Sequence, residues 1–376
     1  MITRVYANNF KCLVNFELSL ESSSPLFLGA NGAGKTTIFD LLFKVRELII
    51  ENRSVDSLFD DSTLTKWLNE ERQQIEIDLQ GDDGLYRYRL ELERHRSRHL
   101  SRITEESLFC NGQPLFRFSI EQQGDQPIGR ARLYTDSYTQ EEGIPFAMNW
   151  SHSGLAMIHE RPDNKKLTFF KQQILNWYVL QISPSSMGAV ADCEATYPKR
   201  DLSNYASWLR YLVQENRRAV SLFEESLKEI IEDFELFHFA PAGDSKLLYV
   251  EFSNQLKYRL NELSDGQKTL IALYTLLYSL PEGSLLAIDE PENFLALPEI
   301  QPWLDRVHDL AEEKSLQVIL ISHHPRIINW LSLESGYWFS REKNRHIRVQ
   351  RISANEAESG LPIAMLVERG WIDDQV

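Results

Sequence analysis

The sequence of 376 residues predicts an α/β fold with a strand-rich antiparallel lobe and a helical insertion. One observation is an apolar run at residues 25–28 that leads into a glycine-rich turn and then into an amphipathic helix over residues 36–50. Another is a pair of alternating segments, residues 74–79 and 85–92, which predict an antiparallel hairpin. From Ser264 onward the pattern runs helix, strand, helix, strand, helix, which is typical of a parallel α/β core.

The remaining segments place the other strands and helices along the chain. Residues 2–6 and 13–18 alternate as strands do, and strand-like pieces follow the hairpin to about residue 135. Residues 136–164 show no regular pattern, and short strands are predicted at residues 247–252 and 256–260. The periodicity predicts helices over residues 168–180, 202–214 and 216–233.

These patterns divide the chain into three parts. The first lobe, residues 1–164, holds the glycine-rich turn and the antiparallel strands, and the helical insertion spans residues 165–235. The second lobe, residues 236–376, holds the parallel pattern that starts at Ser264. A chain of this length can bury a sizeable core as one large domain or two modest ones.

The charge balance bears on the partners of the protein. A net charge of −15 argues against a broad, non-specific nucleic-acid surface, which normally carries excess lysine and arginine. Two basic stretches, residues 87–98 and 341–351, alternate with apolar residues. This alternation favours strands with one solvated face, and a local DNA contact is the alternative.

The sequence also indicates the compartment. We find neither an apolar run of the roughly 18–20 residues that cross a bilayer nor a signal-peptide pattern, so we expect a cytoplasmic protein without a membrane partner. The three cysteines, Cys12, Cys110 and Cys193, are far apart and form no CxxC pair. This favours reduced thiols over a disulfide framework or a zinc site.

Residues Gly29 to Thr36 match the pattern GxxxxGK(S/T) completely. Glycines let the backbone curl so that its N–H groups converge on phosphate oxygens, and the following helix N-terminus adds positive potential. We expect Lys35 to reach the β- and γ-phosphates and the Thr36 hydroxyl to bind Mg²⁺. The strand before the loop and the helix after it are the context such a loop requires. The predicted nucleotide-binding residues are Asn31, Gly32, Ala33, Gly34, Lys35, Thr36 and Thr37.

A second motif is a pair of acids at the end of an apolar strand. Residues 284–288 are followed directly by Asp289 and Glu290. Two adjacent carboxylates at the mouth of a core strand cost desolvation energy, which argues against a purely structural role. Asp289 suits coordination of Mg²⁺, and Glu290 can polarise an attacking water.

A third motif, Ser264-Asp265-Gly266-Gln267, lies just before a helix over residues 269–280. The N–H groups at such a helix start favour an anion. Because Lys35 already lies at one helix N-terminus, this second one reaches the same γ-phosphate only from another subunit. The alternative is an ordinary serine N-cap with a glycine for close packing. Its position before the acidic strand favours the phosphate role.

A fourth motif ends another apolar strand, residues 318–321, in Ser322-His323-His324. One histidine can hydrogen-bond the γ-phosphate or orient the water. The alternative is a structural histidine beside a helix start, stabilised by Ser322. The adjacent pair lacks the spacing of zinc ligands on a helix, so no zinc is predicted.

In this order the four motifs resemble those of the ABC-class ATPases, in the branch that includes RecF, the SMC proteins and the OLD-family ATPases. The segment Glu292 to Leu295 looks like the D-loop opening found in small stand-alone bacterial ATPases of the AAA_21 type. The resemblance is strong over residues 1–50 and 245–340 and general elsewhere. The fold that it implies is a P-loop ABC-type ATPase head.

The resemblance assigns roles to single residues. Lys35 and Thr36 match Walker A, Asp289 and Glu290 match Walker B with its catalytic glutamate, and His323 is similar to the switch histidine. Ser264, Asp265, Gly266 and Gln267 look like the signature, with Asp265 in place of the first glycine.

The start Asn8 to Lys11 is similar to an NF(K/R) opening whose basic residue, Lys11, lies near the nucleotide, and Asn31 and Asp40 match further P-loop positions. The Q-loop glutamine is not placed by the sequence.

The function implied by this resemblance is an ATP- and Mg²⁺-dependent switch. We expect a homodimer that holds two ATP molecules between its subunits, with a higher oligomer left open. We see no TOPRIM nuclease cluster, and residues 353–376 are too few for a catalytic domain, so a separate effector, a nuclease or toxin in bacterial defence, is expected. The alternatives are a RecF-like DNA repair ATPase that binds DNA directly and the ATPase subunit of a membrane transporter.

Overall fold

The computed structural model describes residues 1–95, 99–123, 126–137, 143–325, 327–329, 335–342 and 346–352. The chain forms two compact units, Met1–Trp177 with Ile328–Val376, and Tyr178–Ile327. Mixed helices and strands with one large antiparallel sheet confirm the predicted fold class. The division into three parts remains a prediction.

The first unit contains an antiparallel sheet of eight strands. Its spatial order is β2-β1-β4-β5-β6-β7-β8-β9. The strands are β1 (Ile2–Asn8), β2 (Phe16–Ser19), β4 (Arg72–Gly81), β5 (Gly84–His95), β6 (Leu100–Cys110), β7 (Gln113–Gln123), β8 (Gln126–Leu133) and β9 (Ile144–Ala147). The predicted hairpin is β4 and β5, which close around the pair Gly81 and Gly84. Alternation along β5 places its apolar side chains on the buried face.

The same unit holds the strand and the helix that flank the phosphate loop. Strand β3 (Leu26–Gly29) is buried throughout and leads to helix α1 (Lys35–Ile49). Strand β17 (Gly336–Glu342) pairs with β3 in parallel and with β18 (His346–Arg351) in the antiparallel sense. Helices α2 (Val55–Leu58), α3 (Gly154–Met157) and α4 (Lys165–Leu175) also belong to this unit.

The second unit contains the parallel strands that carry the acidic and histidine motifs. Strand β15 (Leu285–Asp289) lies between β10 (Trp177–Leu180) and β16 (Gln317–Ile321), and it pairs with β16 in parallel. The apolar runs of both strands are buried, as expected for a parallel core. Helix α7 (Asp265–Ser279) precedes β15, and helix α8 (Leu297–Glu313) connects β15 to β16.

A smaller antiparallel sheet and two helices complete the second unit. Strand β13 (Ser245–Phe252) pairs with β12 (Phe234–Ala242) along one edge and with β11 (Val190–Ala191) and β14 (Lys257–Arg259) along the other. Helix α6 (Arg217–Ile230) packs on this sheet, with the rings of Phe223 and Phe237 5.8 Å apart. Helix α5 (Tyr205–Glu215) and the 3-10 turns Pro184–Ser186 and Leu260–Glu262 also belong to this unit. Within the described part of the chain, no helix combines the length and apolar character needed to cross a bilayer.

Some predicted element bounds were wrong. The helix expected over residues 168–180 ends at Leu175, and Trp177–Leu180 is strand β10 instead. Its sequence, Trp-Tyr-Val-Leu, is aromatic and β-branched, and such residues favour strands. Residues 136–164, expected to be irregular, include β9 and α3. The residues 353–376 lie outside the described part of the chain.

Candidate functional site

The phosphate loop, residues 29–36, leaves the buried strand β3 and enters helix α1. Three of its glycines have positive φ: Gly29 at 132°, Gly32 at 79° and Gly34 at 93°. L side chains rarely adopt such backbone angles, so glycine is required for the curl. A Cβ on Gly29 would also lie 2.1 Å from the carbonyl oxygen of Phe339 in β17, so packing excludes a side chain there as well.

Lys35 is buried within this loop, with 5% of its surface exposed. Its Nζ donates to the carbonyl oxygens of Gly29, at 2.6 Å, and Ala30, at 3.1 Å. The loop therefore fixes a positive charge at the N-terminus of α1, where the helix dipole also favours an anion.

The other predicted residues of the loop differ in exposure. Asn31 and Gly32 are exposed at its tip, Ala33 and Gly34 are buried, and Thr36 is exposed at the first helical turn. Thr37 is half-buried, and its hydroxyl lies 3.3 Å from the Cys12 thiol. An exposed tip, a buried ammonium and an exposed hydroxyl oxygen fit a phosphate with its magnesium ion.

The basic residue of the opening motif is attached to the phosphate-loop helix. Lys11 Nζ lies 2.7 Å from Asp40 Oδ2, so two residues singled out separately in the sequence form an ion pair. Lys11 has positive φ, 52°, and its backbone N–H donates to the carbonyl oxygen of Thr63. The lysine is therefore held by its backbone and by its side chain.

The neighbouring Asn9 has a structural role that the sequence did not reveal. It is fully buried, and its amide donates to the carbonyl oxygens of Glu70 and Arg72. The backbone carbonyl oxygen of Asn9 accepts from Nε2 of the buried Gln73 side chain at 2.9 Å. These bonds attach the end of β1 to the start of β4, and so fix the turn that carries Lys11.

The acidic motif of the second unit lies at the end of β15. Asp289 is half-buried and is the register partner of Ile321, the last residue of β16. Glu290 follows with φ of 51°, a left-handed conformation that is uncommon for a non-glycine residue. Its N–H donates to the carbonyl oxygen of Ile321 at 2.9 Å, so the strand pairing continues into the turn and holds Glu290 there.

The structure brings Glu290 and His323 together. The Nε2 atom of His323 lies 3.9 Å from Glu290 Oε1, and both side chains are roughly two-fifths exposed, 42% and 40%. Asn293 donates from Nδ2 to the other oxygen, Oε2, at 2.8 Å. The carboxylate is thus oriented by an amide on one side and faces an imidazole on the other, an arrangement suited to positioning a water molecule.

A second carboxylate, Glu292, connects the acidic turn to the histidine turn. Its Oε1 accepts from the Ser322 hydroxyl at 2.6 Å and from the His323 backbone N–H at 3.2 Å. Ser322 Oγ in turn accepts from the N–H of His324 at 3.0 Å. Burial raises the pKa of Glu292, the charge of Glu290 adds to that effect, and the donated hydrogen bonds oppose it. The sequence had indicated Glu292 only as part of a D-loop opening.

The signature residues form the N-terminal cap of α7. Ser264 Oγ accepts from the Gln267 N–H at 3.2 Å, and Gln267 Oε1 accepts from the Ser264 N–H at 3.1 Å. This reciprocal capping box is the structural role that we had considered as the alternative. Asp265 Oδ1 pairs with Lys268 Nζ at 2.7 Å. Ser264 is exposed, so the cap also presents the start of the helix dipole to solvent.

Gly266 packs against the segment that follows the acidic motif. A Cβ at this position would lie 2.9 Å from the carbonyl oxygen of Phe294, so the glycine permits close approach of the two segments. Phe294 has φ of 71° and is 61% exposed. The signature and the segment Glu292 to Leu295 are therefore neighbours within one unit.

The arginines of the first basic stretch are paired with acids. Arg87 donates from Nε and Nη2 to both oxygens of Asp78, at 2.9 and 2.8 Å, and Arg94 contacts Asp56 and Asp61 at 2.5 and 2.9 Å. Arg87 is exposed and ion-paired, as expected for a solvated face. Arg94 is instead only 5% exposed and lies on the buried face of β5, so the expectation of a solvated position was wrong there. Its residues 96–98 lie outside the described part.

The second basic stretch is also engaged. Arg341 lies over the ring of Trp67, 5.3 Å from its centroid, and Arg351 pairs with Glu21. The cysteines Cys12, Cys110 and Cys193 are free thiols. Among the described residues, no group of three or more histidine, cysteine, aspartate or glutamate side chains is arranged to hold a metal by itself.

Comparison with protein families matches residues 26–329 to the family described as "AAA domain, putative AbiEii toxin, Type IV TA system" and designated AAA_21. Comparison with curated protein sequences gives no match.

Solved structures of SMC heads are similar to this chain. The SMC head bound to the C-winged helix domain of ScpA matches with a TM-score of 0.53 at 15% sequence identity, over 95% of this chain and 99% of that chain. The SMC head domain from Thermotoga maritima has a TM-score of 0.45 at 12% identity, over 93% of this chain and 98% of that chain. The first of these shows that the chain has the SMC head fold.

Proposed function

The chain belongs to the AAA_21 family, an ABC- and SMC-like group of P-loop ATPases, and on that premise we propose that it is an ATP-driven switch acting on another protein. The observation that carries this proposal is the Glu290–His323 pair at the ends of two adjacent buried strands, 3.9 Å apart. A carboxylate that faces an imidazole, both partly exposed, suits a site where water attacks a phosphate.

In the proposed hydrolysis of ATP, some residues bind the nucleotide and its metal ion, and others act on the attacking water. Lys35, with the backbone N–H groups of residues 31–37, would bind the phosphates, and Thr36 and Asp289 are the residues that would supply oxygen ligands to Mg²⁺. Bound Mg²⁺ would neutralise charge that develops on the phosphates. Glu290 accepts a proton from the attacking water, and His323 donates to the γ-phosphate oxygen.

The proposed active form is a homodimer closed by ATP. The N-terminus of α7 begins at the exposed cap residue Ser264, and Gly266 lies in its first turn together with the N–H groups of that turn. In the closed dimer these N–H groups reach the γ-phosphate held by the partner's Lys35, while Asp265 and Gln267 fix the helix start. Hydrolysis removes that shared anion, and the subunits separate. A higher oligomer built from such dimers is compatible with this scheme.

Gln181 is our candidate for the Q-loop glutamine. It follows directly after β10, the strand beside β15, and its side chain is exposed. The sequence did not reveal it because the segment reads as the end of a helix.

The proposed switch would act on a separate effector protein. The family description names a toxin of a type IV toxin–antitoxin system, and one SMC head of this fold is bound to a partner's winged-helix domain. We infer that this switch works in the cytoplasm in bacterial defence and controls a nuclease or toxin on another chain. Direct DNA binding of the RecF kind is disfavoured by the net charge of −15 and by the paired arginines of β5.

The decisive experiment measures mass in solution with and without Mg-ATP. Glu290→Gln keeps the shape of the carboxylate but removes the base, so it should accumulate as a closed dimer in size-exclusion chromatography with light scattering. The double variant Lys35→Ala with Glu290→Gln is the matched control and should remain monomeric at the same ATP concentration. A Glu290→Gln protein that binds ATP yet stays monomeric at saturation would refute the clamp.

A further inference from the structure

Glu292 belongs to the turn after β15 that follows Glu290, and its side chain reaches the turn after β16 that carries His323. Its Oε1 accepts two hydrogen bonds from the turn after β16, one from the Ser322 hydroxyl at 2.6 Å and one from the His323 N–H at 3.2 Å. We propose that Glu292 is the positioning residue that holds the His323 imidazole against Glu290. This inference rests on the proposed ATPase function and deepens it.

The bonds of Glu292 restrain the whole histidine turn. Ser322 is fully buried, and its hydroxyl oxygen accepts from the His324 N–H while its hydrogen is donated to Glu292. Because these hydrogen bonds fix the backbone of the turn, they fix the position from which the His323 side chain extends toward Glu290. Because Glu292 is itself a residue of the turn after β15, its side-chain hydrogen bonds fix the distance between the two turns.

The hydrogen bonds to Glu292 indicate that its side chain acts as a hydrogen-bond acceptor. Both bonds to Oε1 are donated by the protein, and Oε2 is buried without a hydrogen-bond partner among the residues that the structure describes. An uncharged amide oxygen can accept the same two bonds. The position therefore needs an acceptor of this shape, and Glu292→Gln should preserve the arrangement that Glu292→Ala removes.

Glu290 cannot hold the histidine turn in this way. Its Oε2 is taken by Asn293, and its Oε1 lies 3.9 Å from the imidazole, beyond ordinary hydrogen-bond length. The backbone of Glu290 is bonded to Ile321, the residue before Ser322. Glu292 is therefore the side chain that joins the two turns, and it has no need to contact substrate.

The first test is steady-state ATP hydrolysis by the full chain. Glu292→Ala should lower kcat by about tenfold to a hundredfold, because a misplaced catalytic group costs rate, while KM and the binding of a fluorescent ATP analogue change less than about twofold. Glu292→Gln should restore most of kcat. The matched control is Glu299→Ala, which removes the carboxylate that caps α8 through the Ala296 N–H and leaves the histidine turn untouched.

A double-mutant cycle separates positioning from general loosening. If Glu292 acts through His323, then Glu292→Ala should cost little further rate in a His323→Ala background. The proposal would be overturned if the losses in kcat of Glu292→Ala and His323→Ala multiplied in the double variant. It would also be overturned if Glu299→Ala lowered kcat as much as Glu292→Ala.

A readout without catalysis keeps this inference distinct from the ATPase proposal. The ring resonance of His323, assigned by its loss in His323→Ala, should shift in Glu292→Ala and return in Glu292→Gln. An unchanged resonance in Glu292→Ala would overturn the positioning role even in an active enzyme. If the wild-type chain bound no ATP but the Glu292→Ala variant showed these shifts, the proposed function would be overturned and the role of Glu292 would stand.

Discussion

Lys11 Nζ lies 2.7 Å from Asp40 Oδ2, which ties the turn after β1 to the helix that begins at the phosphate loop. Asp40 is only 14% exposed in its side chain, whereas Lys11 is 38% exposed. The pair therefore fixes a cation on the side of α1 and leaves part of it accessible.

From this pair we predict that Lys11 contributes to nucleotide affinity through its charge. Lys11→Ala should weaken ATP binding by about fivefold, which corresponds to roughly 1 kcal/mol for a partly exposed charge, without abolishing it. Lys35→Ala should abolish detectable binding under the same conditions. Titration calorimetry measures both. Unchanged affinity in Lys11→Ala would show that the ion pair serves structure alone.

The phosphate loop also makes a prediction about stability. Gly29→Ala should destabilise the protein by more than about 2 kcal/mol, because its Cβ would meet the Phe339 carbonyl oxygen at 2.1 Å and its φ is 132°. Gly243→Ala is the matched control, with φ of 63° and no atom within 4 Å of the added carbon. Its cost should be about 1 kcal/mol, from backbone strain only. Urea denaturation distinguishes them, and equal costs would argue against the close approach.

A prediction about pH concerns Glu106, which is fully buried in the first unit. It accepts from Tyr88 at 3.0 Å, from Ser153 at 2.5 Å and from the Gly154 N–H at 2.7 Å. Burial raises its pKa, and these three hydrogen bonds oppose that effect. Since the folded pKa is the higher one, the stabilising contribution of this group is present at low pH and is lost as pH rises through the folded pKa.

Glu106→Gln should therefore gain stability relative to the wild type as pH rises from the ordinary glutamate pKa, 4.5, to the raised pKa of the folded protein. Its amide can donate to the two hydroxyl groups and accept from the Gly154 N–H, whereas Glu106→Ala leaves buried donors unpaired at about 1–3 kcal/mol each. Denaturation at several pH values measures this difference. The exposed Glu282→Gln should show no such slope. A pH-independent difference in stability between Glu106→Gln and the wild type would show that folding does not raise the pKa of Glu106.

The shared active site can be tested by mixing two inactive variants. Ser264→Asp keeps a good helix N-cap but places a negative charge where the partner's γ-phosphate is proposed to lie. We expect it to lose ATP hydrolysis, while Ser264→Asn, which caps without charge, retains more activity. Mixing Ser264→Asp with Lys35→Ala should restore activity, because their heterodimer has one site with both elements intact. Mixtures as inactive as their components would argue against a site completed by a second subunit.

The switch proposal and the RecF-like alternative differ in the DNA binding that they predict. The switch proposal predicts weak binding that does not depend on Arg87. Since Arg87 is bound to Asp78, and Asp78 is only 4% exposed, Arg87→Ala should leave DNA binding unchanged. Fluorescence anisotropy with duplex DNA, with and without ATP, should show weak binding for both proteins. Tight, ATP-dependent binding that falls steeply between about 50 and 200 mM salt would favour the RecF-like function instead.

Short-range patterns in the sequence were sufficient for several features. The curl of the phosphate loop, the hairpin at Gly81 and Gly84, and the cap of α7 by Ser264 and Gln267 all depend on residues within a few positions of one another. Strand alternation and helix capping act over the same short range, so the sequence expresses them directly. The strand Trp177–Leu180 was misread because a short apolar run is compatible with both periods.

Tertiary structure decided the partners of the chemical groups. Glu292 and Ser322 are 30 positions apart, and they meet because β15 and β16 pair in parallel with Asp289 opposite Ile321. The same register places Glu290 before His323, and a separate packing contact joins Lys11 to Asp40. The sequence by itself predicted most of the residues that we propose for the chemistry. Only the register of the strands decided which of them face each other, because that register depends on contacts between segments distant along the chain.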